Sequence, residues 1–260
     1  MSRIETATLE FLGTGTSTGV PLAGCDCRVC RSPDPHDKRL RSSVLISRGE
    51  RRVIIDTGPE FRLQCIRAGV MHLDAVVLTH DHSDHLNGLD DLRAYSLFKR
   101  RTLPVWASDK TLASIRHRFD YIWNSRQVGG GLPDISLNEI TGPFCAAGID
   151  MTPIPIKHGM LDILGYRIGD VAYMTDISAV PDSSLPLLRD LDTMIISCVR
   201  YRFHRTHLNI AGAKRLHALV KPRQTYLTHL THYFTHKDLI TLMPLPITPA
   251  HDTLTLQIRV

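Results

Sequence analysis

The 260-residue sequence has no apolar stretch approaching the ~20 residues that a bilayer-crossing helix requires, so no membrane partner is expected. The start, Met1-Ser2-Arg3-Ile4-Glu5-Thr6, lacks a basic end followed by an apolar core. Neither a secretory signal nor a transit peptide is suggested, and a soluble, cytoplasmic protein is the expectation. Also missing is any Pro/Ser-rich or charged low-complexity block between two halves. Apolar runs recur at short intervals as far as Leu254-Thr255-Leu256-Gln257-Ile258, and a single domain over 1–260 is the economical reading.

Charge of either sign is not strongly in excess. Lys and Arg number 31 against 26 Asp and Glu, and the net +5 suits a polyanionic partner but is modest for this length. Basic residues gather at Arg39, Arg41, Arg48, Arg51 and Arg52, and again at Lys99-Arg100-Arg101. Solvated faces account for both groups. The bias is compatible with a phosphate-bearing substrate without requiring nucleic acid.

What the chain does have is a concentration of metal-binding groups. Leu78-Thr79-His80-Asp81-His82-Ser83-Asp84-His85 places three imidazoles and two carboxylates in six residues, directly behind the β-branched run Ala75-Val76-Val77-Leu78. Imidazole nitrogen and carboxylate oxygen are ligands for zinc, manganese and iron, and the H-x-H-x-D-H spacing supplies four of them at the mouth of one strand. One ion would leave ligands over, so the spacing favours two. A solvated, His-rich loop is the competing reading, and four coordinating groups at such spacing argue against it.

Three of the six cysteines lie in Cys25-Asp26-Cys27-Arg28-Val29-Cys30. In a reducing compartment this C-x-C-x-x-C run reads as a metal clip in need of a fourth ligand rather than as a disulfide framework. Cys65, Cys145 and Cys198 sit in apolar contexts and read as small buried hydrophobes.

Short apolar runs at 7–12, 43–47, 52–56, 74–79, 104–107, 149–156, 163–168, 170–175, 192–199, 224–228 and 253–260 predict strands. Helical spacing occurs over 59–69, 110–119, 184–189 and 210–220. The combination predicts a layered α/β protein with its sheets between helices. Each chemical side chain follows a predicted strand: Asp56, the histidine cluster, His158, Asp176 and His229. Taken singly, a lone histidine is usually structural and Asp176 could cap a helix. Their shared position at strand ends is where such a fold converges ligands from distant sequence.

These residues resemble the metallo-β-lactamase fold hydrolases, through Ile55-Asp56-Thr57-Gly58, the His80-x-His82-x-Asp84-His85 signature, His158, Asp176 and His229. Within that family, Gly13-Thr14-Gly15-Thr16-Ser17 and the cysteine run look like the branch that opens a cyclic phosphate on ribose in phosphonate breakdown. The resemblance implies an αββα four-layer sandwich of two mixed β-sheets flanked by helices. It implies two divalent ions, zinc or manganese, with His80, His82 and His158 on one, Asp84, His85 and His229 on the other, and Asp176 bridging. Asp56 would support the site without binding metal. Cys25, Cys27, Cys30 and His232, three residues beyond His229, would hold a structural zinc. His207 would lie at the substrate phosphate and act with Asp84 in catalysis, with His204 as the competing candidate.

The implied reaction is hydrolysis of a small cyclic or nucleotide-like phosphate ester by a hydroxide held between the two ions. A histidine would serve the leaving oxygen as acid or clamp. Processing of transfer-RNA 3′ ends and thioester or lactone hydrolysis remain open on the same ligands, as does a homodimer. A non-catalytic metal-binding module is the remaining alternative. The insert from Phe119 to Pro133, with Gly129-Gly130-Gly131, reads equally as a mobile rim or an ordinary loop.

Overall fold

The computed structural model describes residues 6–99, 101–124 and 131–260, so Arg100 and residues 125–130 of the glycine-containing insert lie outside the described residues. The strands are β1 (Thr6–Gly13), β2 (Ser43–Arg48), β3 (Arg51–Ile55), β4 (Ala75–Val77), β5 (Leu103–Ala107), β6 (Ile135–Glu139), β7 (Phe144–Ala146), β8 (Ile149–His158), β9 (Leu161–Ile168), β10 (Val171–Met174), β11 (Thr193–Ser197), β12 (Gln224–Thr228), β13 (Ile247–Pro249) and β14 (Thr255–Arg259). The helices are α1 (Phe61–Arg67), α2 (Ser83–Leu86), α3 (Arg93–Lys99), α4 (Asp109–Arg118), α5 (Tyr121–Asn124), α6 (Ile210–Val220) and α7 (His236–Leu242).

The strands form two mixed seven-stranded sheets, ordered β14-β1-β2-β3-β4-β5-β6 and β13-β12-β11-β10-β9-β8-β7. In the first, β14 through β3 pair antiparallel and β3 through β6 pair parallel. The second repeats the plan, antiparallel from β7 to β10 and parallel from β10 to β13. Three apolar clusters separate four layers. Val53, Ile55 and Val77 point between the sheets toward Tyr166, Tyr173 and Ile195. Ile54 and Val76, one residue out of phase, pack under the helices outside the first sheet, and Met194 and Ile196 do the same outside the second. Period-2 alternation with both faces buried gives near-continuous β-branched runs, each fully buried aliphatic side chain contributing ~1.5–3 kcal/mol. The architecture is the αββα four-layer sandwich.

Four sequence expectations change. Residues 182–188 form a 3-10 helix rather than an α-helix, with Pro186 inside it; a proline has no backbone N–H to give an α-helical ladder. Cys145 is exposed, because it lies on the short edge strand β7, whereas Cys65 and Cys198 are buried as expected. Arg39 does not belong to a solvated face: it is 2% exposed. Its Nη1 donates to Thr14 Oγ1 at 3.0 Å and to Ala250 O at 2.8 Å, and burial brings the guanidinium down to about 10 against the raising charge of Asp252. Arg41 is half-buried as well, its guanidinium donating to Ser17 O at 2.7 Å and pairing with Glu60.

Candidate metal centre

The site lies where the two sheets present the C-terminal ends of their strands. Asp56 follows β3, the histidine cluster follows β4, His158 ends β8, Asp176 follows β10 and His229 follows β12. Asp56, Asp176 and His229 have φ of 67°, 57° and 53°, left-handed values that non-glycine residues seldom adopt. Such turns swing a side chain sharply off the strand axis. The one-turn helix α2 does the same for Asp84 and His85. It is held against the β3 end by bonds from Thr57 N to His85 O, 2.7 Å, and from Gly88 N to Thr57 O, 2.8 Å. A Cβ on Gly58 would stand 2.3 Å from Asp84 O, so this approach requires glycine.

Four imidazoles are oriented in the same way, each by an oxygen on its outer side. His85 Nδ1 donates to Asp56 Oδ2 at 2.7 Å. Thr79 Oγ1 donates to Asp56, leaving its lone pairs to accept from His80 Nδ1 at 2.9 Å. His158 Nδ1 donates to Thr206 O at 2.7 Å, and His229 Nδ1 lies 3.3 Å from Ser42 Oγ, whose own proton goes to Gly15 O. Each Nε2 is thereby left facing inward. Nε2 of His80 is buried with no hydrogen-bond partner. A buried acceptor left unpaired is costly unless something else occupies the space beside it.

The inward atoms gather into two groups, His80 with His82 and His158, and Asp84 with His85 and His229, the ligand atoms of each lying within 4.8 Å of one another. Asp176 reaches both: Oδ1 is 3.1 Å from His229 Nε2 and Oδ2 is 3.1 Å from His85 Nε2 in the second group, and its carboxylate lies within 4.8 Å of the ligand atoms of His80 and of His158 in the first. A further grouping, His158 with Asp176 and His207, is equally close. Burial alone would raise the Asp176 carboxyl, but His229 and His85 hold it well below the usual carboxylate range; His85 and His229 likewise lower Asp84. His85, against the lowering effect of burial, is pushed well above the ordinary imidazole value by Asp176, Asp56 and Asp84. His80 and His229 are lowered by burial. Buried carboxylates demand compensating positive charge; a proton on His85 answers part of that demand, and a divalent ion displacing it would meet the imidazoles and carboxylates as a donor set suited to it.

His207 reaches this centre and His204 does not come as near. The His207 ring stands 4.6 Å from that of His158 and 5.2 Å from that of His229, its Nδ1 3.7 Å from Asp176 Oδ1. His204 lies one ring further out, 5.1 Å from His207, its Nδ1 accepting from Thr206 N at 3.2 Å. Burial and His229 lower the His207 imidazole to about 3.

The cysteine run closes on its distant histidine. Sγ of Cys25, Cys27 and Cys30 lie 3.3, 3.5 and 3.5 Å from His232 Nδ1. Zinc bonds of ~2.3 Å to sulfur and ~2.0 Å to nitrogen at a tetrahedral angle place S and N about 3.5 Å apart, so these four groups could hold that ion. Hydrogen bonding from the Cys30 backbone amide, aided by Cys25 and His232, lowers Cys27 to about 6, whereas burial raises Cys30 to about 11.

Sequence reasoning missed the orienting groups Ser42, Thr79 and Thr206. Thr79 was adjacent to the signature, but Ser42 and Thr206 carry no local pattern. It also missed the buried Tyr166 hydroxyl, which donates to Leu78 O at 2.6 Å just before the histidine cluster.

Among the described residues, no helix is long and apolar enough to cross a membrane. The sequence model of the beta-lactamase superfamily domain matches residues 51–230. The crystal structure of a diphosphatase from the PhnP family is 39% identical, covers 98% of this chain and 98% of its own, and superposes with a TM-score of 0.92. A Porphyromonas gingivalis protein named octanoyltransferase is 40% identical over 249 residues, 94% of this chain but 50% of that protein; this chain spans about half the length of that relative. Zn(2+)-bound PqqB from Methylobacterium extorquens shares the fold at 19% identity and a TM-score of 0.77, over 96% of this chain and 99% of that one. The chain belongs to the beta-lactamase superfamily and has the metallo-β-lactamase fold, whose members are mostly metal-dependent hydrolases.

Proposed function

We propose that the chain is a dinuclear metal-dependent phosphodiesterase acting on a small cyclic or nucleotide-like phosphate ester, such as a ribose 1,2-cyclic phosphate. The observation that supports this reading is the placement of Asp176 within reach of both three-ligand groups, 3.1 Å from His85 and His229 on one side and within 4.8 Å of the ligand atoms of His80 and His158 on the other. His80, His82 and His158 would hold one ion, Asp84, His85 and His229 the other, and Asp176 both. Two divalent ions, zinc or manganese, supply there a water of lowered pKa and Lewis acidity toward a phosphoryl oxygen.

The chain's own residues do the rest. Asp56, Thr79, Thr206 and Ser42 fix the imidazole tautomers and so pre-organise the centre. Asp84, with its side chain 11% exposed against 3% for Asp176, is the more open carboxylate and, held ionised, would accept a hydrogen bond from the attacking water. His207, packed on His158 and His229, clamps the substrate phosphate. Cys25, Cys27, Cys30 and His232 would hold a structural zinc that fixes the segment carrying His229.

Phosphorus chemistry is favoured by the PhnP-family relative, a diphosphatase similar over 98% of both chains. Octanoyl transfer is an activity named for a whole protein of which half has no counterpart here, and it lends little weight. The test loads purified protein with zinc or manganese and offers bis-(p-nitrophenyl) phosphate, a cyclic ribose phosphate and an octanoyl thioester. Turnover of the phosphodiesters with retention of two ions at the His/Asp centre is expected. No phosphodiester turnover with any divalent ion, or turnover of the thioester alone, sinks the reading.

A further inference from the structure

Of the five imidazoles in the two ligand groups, His82 alone has no oxygen behind it: among the described residues, neither of its ring nitrogens has a hydrogen-bond partner. Its half-exposed ring packs on those of His80 and His158, with centroids 4.5 and 5.1 Å away. The aim of this side chain is therefore set by the backbone on either side of it. That backbone is weakly held by its own secondary structure. His82 is the N-cap of α2 and makes no side-chain cap bond, and α2 is a single turn of four residues. One turn fixes several dihedrals for very few hydrogen bonds and does not persist without outside support.

Thr57 braces the Asp84 and His85 side of this turn through its bonds with His85 O and Gly88 N. Arg118 braces the His82 side. Its Nη1 donates to Asp81 O at 2.5 Å, and its Nη2 donates to Ser83 Oγ at 3.3 Å and to Asn87 Oδ1. These oxygens belong to the residue before His82, the residue after it and the C-cap of α2, so one guanidinium spans the whole turn. All three are neutral acceptors of charge-assisted bonds, and a planar fork reaches them together as an ammonium cannot. Arg118 is itself anchored. It lies in the last turn of α4, where a cation meets the negative end of the helix dipole, and α4 buries Leu112 and Ile115 in the core outside the first sheet. α4 follows β5, and β5 pairs with β4, with Val77 opposite Trp106 and Leu78 N donating to Trp106 O at 2.8 Å. Both ends of the Arg118 bridge thus hang from neighbouring strands.

We propose that Arg118 is a positioning residue for His82 and that, acting through the backbone, it sets the affinity of the ion held by His80, His82 and His158. The inference rests on the two-ion reading of the centre and not on the reaction assigned to it. It makes the centre asymmetric. The ion on Asp84, His85 and His229 has Asp56, Thr57 and Ser42 behind its ligands and does not depend on Arg118.

The test titrates manganese, which thiolate sites take up poorly, into wild type, R118A, R118K, N87A and H82A, reading free Mn(II) by electron paramagnetic resonance and folding by circular dichroism. Wild type should bind two ions at the His/Asp centre. In R118A one of them should bind about tenfold more weakly, the usual loss when a ligand is deprived of its support, with the other unchanged within twofold. R118K should recover part of the loss, and N87A, which removes one of three acceptors, should show a smaller loss at the same ion. H82A identifies that ion: in the R118A/H82A double variant the remaining ion should bind as it does in H82A alone. Equal weakening of both ions in folded R118A, or of neither, overturns the proposal, as does further weakening in the double variant. If R118A does not fold, R118K and N87A decide, and wild-type binding in both overturns it. If wild type takes up a single ion, the two-ion reading fails and Arg118 is judged on that ion: binding about tenfold weaker in R118A supports the proposal, and equal binding or no uptake at all overturns it.

Discussion

Asp56 and His85 form a pair with no solvent exposure on either side chain, Oδ2 to Nδ1 2.7 Å apart. Asp56 is saturated by this bond and by Thr79, so its charge acts through the imidazole rather than on an ion directly. The Asp56→Asn substitution keeps the shape but disturbs the tautomer, because the amide can present a donor to a nitrogen that must itself donate. Metal affinity should fall 10- to 100-fold, the usual consequence of losing such a support. Equilibrium titration with zinc, alongside circular dichroism to verify folding, reads this. Wild-type affinity in a folded D56N protein would show that Asp56 merely fills space.

His207 is the residue whose role geometry leaves most exposed to test. If it clamps the phosphate, His207→Ala should reduce kcat by about 10² to 10³ while the zinc or manganese content stays at the wild-type value. Its Nδ1 is nonetheless as close to the His158 and Asp176 ligand atoms as those of a metal site. Elemental analysis of H207A therefore discriminates: loss of an ion reassigns His207 as a ligand.

The clip should behave as a second metal site structurally coupled to the first. Replacing Cys27 by Ser removes one of four ligands, and about one zinc per chain should be lost with destabilisation of the fold. The effect should extend to the His/Asp centre, because Leu230, beside His229, is tied to the segment before the clip. Thr16 N donates to Leu230 O at 3.2 Å, and Leu230 N donates to Thr14 O at 2.7 Å. A C27S protein with an unchanged metal count by mass spectrometry under native conditions would remove the clip from the list of zinc sites.

How much of this was legible in the sequence follows from what each residue depends on. The signature from His80 to His85 could be read directly because its ligands share one turn, and the β-branched run before it announced β4. His158, Asp176 and His229 were recognisable only as polar residues at strand ends, since the left-handed turns that aim Asp176 and His229 leave no mark on a residue other than glycine. β6, β7 and β13 were missed because Ile135-Ser136-Leu137-Asn138-Glu139 alternates weakly and the other two have three residues each. The start of α7 was readable but overlooked: Thr235 and Asp238 form a capping box ahead of buried Leu239. Arg39 was misread because a buried arginine differs from a surface one only in its partners, Thr14 and Ala250, which are distant in sequence.

The last prediction concerns a second set of imidazoles away from the metal centre. His36, His236 and His251 pack together, with ring centroids 4.8 Å apart for His36 and His236 and 4.3 Å for His36 and His251. Burial, with Arg39 and the two neighbouring histidines nearby, lowers His236 to about 4, and Asp34 only partly opposes them. A histidine whose folded value lies below its unfolded value of about 6.5 binds more protons when unfolded between those limits, so stability falls as pH drops from 6.5 toward 4. Because His236 is only partly buried, solvent screening reduces the contribution to about 1 kcal/mol. Thermal unfolding of wild type and His236→Gln at pH 7 and pH 5 measures it. Wild type should lose more stability than H236Q on acidification, since glutamine takes up no proton; equal losses would mean that His236 titrates alike in both states.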